Sequence, residues 1–137
     1  MRFFTLIEMV IVVVIIALLA SIATPLYFRH VDSSRVATAQ AQIGMFEQAV
    51  MNFRLDTGKL PTQSQGLMAL IEKPADAKNW KGPYIKGIPL DPWSTAYVYR
   101  NPGLKGEFDI LSYGADGRQG GDGSDADIGN WIDTPQQ

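Results

Sequence analysis

Residues 1–28 read MRFFTLIEMVIVVVIIALLASIATPLYF, and from Phe3 to Phe28 the only charged side chain is Glu8. Val, Ile and Leu fill the run with no polar alternation. About 20 consecutive apolar residues span a bilayer. A single segment in lipid has to be helical, because each backbone group must bond within it. The stretch is therefore read as a membrane-spanning helix over residues 4–28. An acidic side chain at the centre of such a helix costs roughly 2.5–3.5 kcal/mol on insertion scales, so Glu8 needs a reason to be there. Arg2 precedes the run while Arg29, His30 and Arg35 follow it, so positive charge does not settle the orientation. The very short N-terminal flank favours a cytoplasmic N-terminus and an exported C-terminal domain.

After Pro25 the pattern turns amphipathic. Val36, Ile43, Phe46, Val50 and Phe53 recur at helical spacing, with Arg35, Gln40, Gln42, Gln48 and Arg54 mostly between them. This predicts an amphipathic helix over residues 29–57, stopped by Thr57-Gly58 with Pro61 following. Joined to the membrane segment it makes one helix of about 50 residues, roughly 75 Å long at 1.5 Å per residue. Pro25 should loosen or bend it at the lipid boundary. Residues 58–137 are then a small globular head. All but one of the 13 Gly, and of the 8 Pro, lie there. Within the head, residues 62–71 suggest a short helix and residues 74–83 a loop. Tyr84-Ile85, residues 96–100 and residues 107–111 read as strands of a small antiparallel sheet. The fold class is α+β.

The net charge of −2 and the absence of a basic patch argue against a nucleic-acid partner. With no cysteine there is no disulfide, thiol nucleophile or zinc–thiolate site. No nucleotide-binding motif and no nucleophile–base pair stands out, so an enzyme is not expected. Half of the 14 acidic residues fall after residue 106, opposed there by Arg118 alone. Residues 112–131 read SYGADGRQGGDGSDADIGNW. Asp116, Asp122, Asp125 and Asp127 alternate with glycine, and the segment has almost no apolar residue to build a core. Calcium takes six to eight oxygen ligands from carboxylates and carbonyls on a flexible chain. This loop offers such oxygens and no His or Cys for a softer metal. An EF-hand reading fails: Asp116 to Asp127 has the span, but Arg118 stands at the third position and no helix pair flanks it. A β-roll reading of residues 120–125 fails for want of stacked copies. The remaining alternative is a solvated, ion-free tail.

Phe4-Thr5-Leu6-Ile7-Glu8, followed by an apolar run with Pro25 beyond it, resembles the N-terminus of the type IV pilin-like superfamily, including the pseudopilins of type II secretion. The resemblance extends along the whole chain. It implies cleavage by a prepilin peptidase between Phe3 and Phe4 and N-methylation of Phe4. It also implies a role for Glu8 in assembly, where the carboxylate approaches the α-amino group of a neighbouring subunit. The family has Gly immediately before the cut, where this chain has Phe3. The segments SYGADG and DADIGNW resemble the C-terminal calcium loop of the major pseudopilin subgroup. Pro61-Thr62, Gln65-Gly66-Leu67, Leu70 and Asp91-Pro92-Trp93 match the same subgroup. That likeness implies Asp116, Asp125 and Asp127 as calcium ligands, with backbone carbonyls near Tyr113 and Arg118.

The resemblance implies a homopolymeric filament subunit of a periplasmic pseudopilus, anchored in the inner membrane before assembly. Its partners would be copies of itself, minor pseudopilins, an inner-membrane platform with its ATPase, and an outer-membrane secretin. Competing readings are a surface type IV or minor pilin and a membrane-anchored calcium-dependent binding protein. For the N-terminus alone, they are a signal peptide cut after Ser21-Ile22-Ala23 and a plain anchor. Trp93, Tyr97 and Tyr99 suggest core packing ahead of a carbohydrate site, and His30 a headgroup contact.

Overall fold

A computed structural model describes residues 2–131. It divides into two compact units at the Ser34–Arg35 junction. Helix α1 runs from Leu6 to Thr57, 52 residues with Pro25 inside it. The helix is continuous in secondary structure, as the sequence led us to expect.

In the first unit the apolar side chains of Leu6 to Phe28 are exposed, and the helix is long and apolar enough to cross a membrane. Its hydroxyls are satisfied on its own backbone: Ser21 donates to the Leu18 carbonyl and Thr24 to the Ala20 carbonyl, each at 2.7 Å. That arrangement suits a surround that offers no water. Pro25 has no N–H to give to the preceding turn.

In the second unit the expected stripe faces inward. Ile43, Phe46, Val50 and Phe53 are buried and Val36 packs at the edge of the core. Ala39 and Ala49 complete the buried face. The helix stops where the sequence said it would. Gly58 sits at φ 80° and donates its N–H to the Arg54 carbonyl at 2.8 Å, a glycine cap in the left-handed region. Arg54 also reaches Glu107 at 2.7 Å, an exposed ion pair worth little stability.

Three short strands form one antiparallel sheet in the order β1-β2-β3: β1 is Val98–Arg100, β2 Asp109–Ser112 and β3 Ile128–Gly129. Val98 stands opposite Leu111 and Ser112 opposite Ile128. All four residues of the central strand are buried. Ile110 joins the core cluster with Tyr97, Tyr99 and Phe108, while Leu111, the next residue along the strand and equally buried, points to the opposite face. Asp109, only 1% exposed, accepts backbone N–H groups of Leu104, Lys105 and Gly106 and so anchors the turn between β1 and β2. A buried carboxylate is tolerable when its oxygens are so occupied.

Three expectations are corrected. Tyr84-Ile85 is not a strand. Gly82 and Pro83 before it, and Gly87 and Pro89 after it, deny it a ladder. Instead the Tyr84 N–H bonds the Leu70 carbonyl, its ring packs edge-on against Phe53 and Trp80, and its hydroxyl bonds Asp56. The helix expected over residues 62–71 is a 3-10 turn, Gly66–Leu70. Gly66 at φ 57° breaks the path from the Thr62–Gln65 turn into an α-helix. The acidic segment also contributes a strand that the sequence did not announce, because Ile128 is buried against the core.

Tyr97 and Tyr99 are buried core residues, as expected of them. Tyr97 bonds Gln42 and Tyr99 donates to the Pro61 carbonyl at 2.8 Å. Burial pushes both phenols up to about 12, with the negative charge of Asp91 adding to the effect at Tyr97. The folded state therefore holds these protons more tightly than the unfolded chain, whose phenols ionise near 10. Their contribution is complete below pH 10 and is lost as pH rises towards 12. An ultraviolet titration should show Tyr97 and Tyr99 ionising last, and denaturant midpoints should fall across that window. Variants Tyr97→Phe and Tyr99→Phe should each shrink the fall; an unchanged alkaline profile in both would refute the assignment.

Candidate functional site

Two places carry unusual chemistry, one in each unit. The first is the start of α1. Thr5 precedes the helix. The Glu8 N–H donates to Thr5 Oγ1 at 3.2 Å, and the Thr5 N–H donates back to the Glu8 carboxylate at 3.5 Å, the long end of hydrogen-bonding distance. This is a capping box, in which a Thr and a Glu three residues on satisfy two orphan donors of a helix start. The carboxylate also lies against the positive end of the helix dipole. Thr5 was not singled out from the sequence, although the Thr-x-x-Glu spacing was there to find. Phe3 and Phe4 lie just before this cap and are exposed.

The second place is the loop between β2 and β3. Glycines let it fold back tightly on itself. Gly114 sits at φ 72°, and a Cβ there would lie 2.8 Å from the carbonyl oxygens of Ser124 and Ala126. Gly121 sits at φ 102°, with a Cβ placed 2.6 Å from the Asp125 carbonyl oxygen. Side chains are excluded at both points. The Ala115 N–H bonds the Ser124 carbonyl at 2.9 Å, closing the two limbs of the loop.

The sequence-predicted ligands take different places in it. Asp116 Oδ1 accepts the Arg118 N–H at 3.0 Å, a local turn. Asp127 Oδ2 accepts the Gly120 N–H at 3.0 Å across the loop. Asp125 and Arg118 are exposed, and the Tyr113 hydroxyl accepts from the Arg100 guanidinium at 3.0 Å. Among the described residues, no three acidic or histidine side chains are gathered closely enough to hold an ion by themselves. Asp127 Oδ1 is nevertheless buried with no hydrogen-bond partner; among the described residues only Trp93 Nε1 shares that condition. A buried carboxylate oxygen facing no donor is strongly unfavourable. A cation beside it removes the penalty, and the oxygen-only chemistry of the loop suits calcium. The residues present therefore fit that ion.

Comparison with known proteins agrees across sequence and structure. Residues 27–131 match the family model for type II secretion system (T2SS), protein G. The type II secretion system core protein G of Pseudomonas aeruginosa is 45% identical over 132 residues, covering 93% of each chain. That of Vibrio cholerae is 43% identical, covering 93% of this chain and 90% of its own. The crystal structure of the major pseudopilin from the type 2 secretion system of enterohaemorrhagic Escherichia coli superposes with a TM-score of 0.65 at 35% identity. That match covers 74% of this chain and 90% of the other.

Proposed function

The chain belongs to the type II secretion system protein G family, and on that ground we propose that it is a major pseudopilin, the repeating structural subunit of a periplasmic pseudopilus. The family is structural, not enzymatic, and its secretion-system identity displaces the surface-pilin and anchored binding-protein readings. The observation that carries the proposal is the uncovered apolar helix. From Leu6 to Phe28 no side chain is buried within its own unit. A bilayer covers it before assembly and other copies cover it afterwards. Burial of apolar area then favours a helical bundle of many chains.

In this reading the N-terminus faces the cytoplasm and the head lies in the periplasm. Minor pseudopilins and an inner-membrane platform serve as assembly partners, and a secretin forms the outer-membrane exit for folded cargo. A prepilin peptidase cuts between Phe3 and Phe4, and Phe4 is N-methylated. The freed α-amino group of Phe4 in one copy pairs with Glu8 of its neighbour. Calcium is held by Asp127 and Asp116, with Asp125 and the carbonyls of Tyr113 and Arg118 as further oxygen donors. The ion is structural: it binds the folded loop and not the unfolded chain, and so adds its binding free energy to folding.

Electron microscopy of membranes from cells that overproduce this chain together with its assembly machinery tests the proposal. Filaments should appear in calcium and be lost in excess chelator. Inner-membrane protein that stays unpolymerised with calcium present, combined with normal export from cells lacking it, would overturn the assignment.

A further inference from the structure

We propose that Asp91 and Ser112 form a buried latch that positions the calcium loop and so sets its affinity for the ion. This rests on the calcium reading above. Asp91 is 4% exposed and Ser112 is fully buried. Asp91 Oδ1 accepts the N–H groups of Trp93 at 3.0 Å and Thr95 at 2.8 Å, which folds residues 91–95 into a tight turn. The Asp91 N–H closes the same turn by donating to the Thr95 carbonyl at 2.8 Å. The other oxygen leaves that turn entirely: Oδ2 accepts the Ser112 hydroxyl at 2.6 Å. Ser112 Oγ in turn accepts the Gly114 N–H at 3.2 Å.

This relay ends where the loop is hinged. Gly114 is the left-handed residue pressed against the carbonyls of Ser124 and Ala126, and Asp127 with its orphaned oxygen follows at once. The turn approaches the loop a second time, since a Cβ on Gly117 would lie 3.9 Å from Thr95 Oγ1. A buried carboxylate is an expensive way to fill space, and apolar side chains pack as well. What the carboxylate adds is direction. A fully satisfied buried network holds one arrangement of its members, and a site that needs six or more oxygens placed together depends on such pre-organisation. Every hydrogen bond recorded for the Asp91 carboxylate ends on the turn or on Ser112, so Asp91 is a positioning residue and not a ligand.

The test uses the full chain in detergent, with calcium titrated by calorimetry and melting followed in excess chelator. Ser112→Ala and Asp91→Asn should weaken the calcium Kd by about 10-fold, the low end of the loss when a partner bonded to a metal ligand is removed, because the relay reaches the loop through the Gly114 backbone. Ser112→Thr, which keeps the hydroxyl, should restore it. Unchanged calcium affinity in Ser112→Ala, with only the calcium-free melting temperature lowered, makes the pair ordinary core and overturns the latch while leaving the calcium reading intact. A parent chain that binds no calcium overturns both. Should Asp91→Asn fail to fold, Ser112→Ala, which removes a single oxygen, decides the matter alone.

Discussion

Asp127→Asn abolishes the calcium-induced rise in melting temperature and leaves the calcium-free protein as stable as the parent or more so. The two halves of this expectation have different causes. In the parent, calcium at about 100 times its Kd adds about 2.7 kcal/mol to folding, or on the order of 10–20 °C for a head of this size. The increment depends on a charged oxygen that nothing else in the fold satisfies, and Asp127 Oδ1 is that oxygen. An amide removes the charge–charge attraction, leaving only an ion–dipole contact, and puts a donor where the ion would sit in one of its two orientations. Without calcium the sign reverses. A buried, unpartnered acceptor costs about 1–3 kcal/mol, and more when it is charged. Asparagine removes that charge yet keeps an oxygen for the Gly120 N–H. Melting curves with calcium and with chelator, for both proteins, read the whole effect. Overlaid curves in the parent, or a full calcium shift in the variant, would sink it.

The same residue shows where sequence reading succeeds and where it stops. The acidic density of residues 116–127 was plain, and it made calcium the expected counter-charge, with a solvated, ion-free tail as the alternative. Which carboxylate has an occluded oxygen was not, because Asp127, itself half-buried, immediately precedes Ile128, which enters the core and pairs with Ser112 of β2. A two-residue strand inside a Gly–Asp run leaves no periodicity to detect. The long helix was legible for the opposite reason. Lipid leaves one secondary structure open to residues 4–28, and the stripe from Val36 to Phe53 repeats often enough to fix its face. Tyr84-Ile85 misled because aromatic and β-branched residues suit both a strand and a loop packed by its side chains. The choice was made by contacts with Phe53 and Trp80, distant in sequence. Asp91 entered the sequence reading only through the Asp91-Pro92-Trp93 match. Its bond to Ser112 spans 21 residues and could not be inferred from either neighbourhood.

Glu8→Gln, no less than Glu8→Lys, should stop filament assembly while leaving the subunit in the membrane. The comparison of these two variants separates the roles the geometry allows Glu8. As part of the capping box with Thr5, Glu8 stabilises the first helical turn by about 1 kcal/mol. Glutamine fills the same position of the box, so a residue kept only for capping would tolerate Glu8→Gln and suffer only from lysine. As a charge, Glu8 has a second effect. Leaving it unpaired in hydrocarbon costs at most roughly 2.5–3.5 kcal/mol, the figure for an acidic residue at the helix centre, and less near the helix start where Glu8 lies. In the proposed filament, pairing with the Phe4 α-amino group of a neighbour would recover part of that. Full recovery corresponds to a factor of at most about 100 in the assembly equilibrium for each subunit added. Glutamine forfeits this drive because, although its amide is also costly in lipid, it carries no charge for the neighbour's α-amino group to pair with. The capping bond is local and is made by a lone subunit, so it cannot favour the filament over the membrane pool. The charge can. Counting filaments by electron microscopy and measuring export of a folded cargo protein read the outcome. Normal filaments and export in Glu8→Gln would reduce Glu8 to a helix cap.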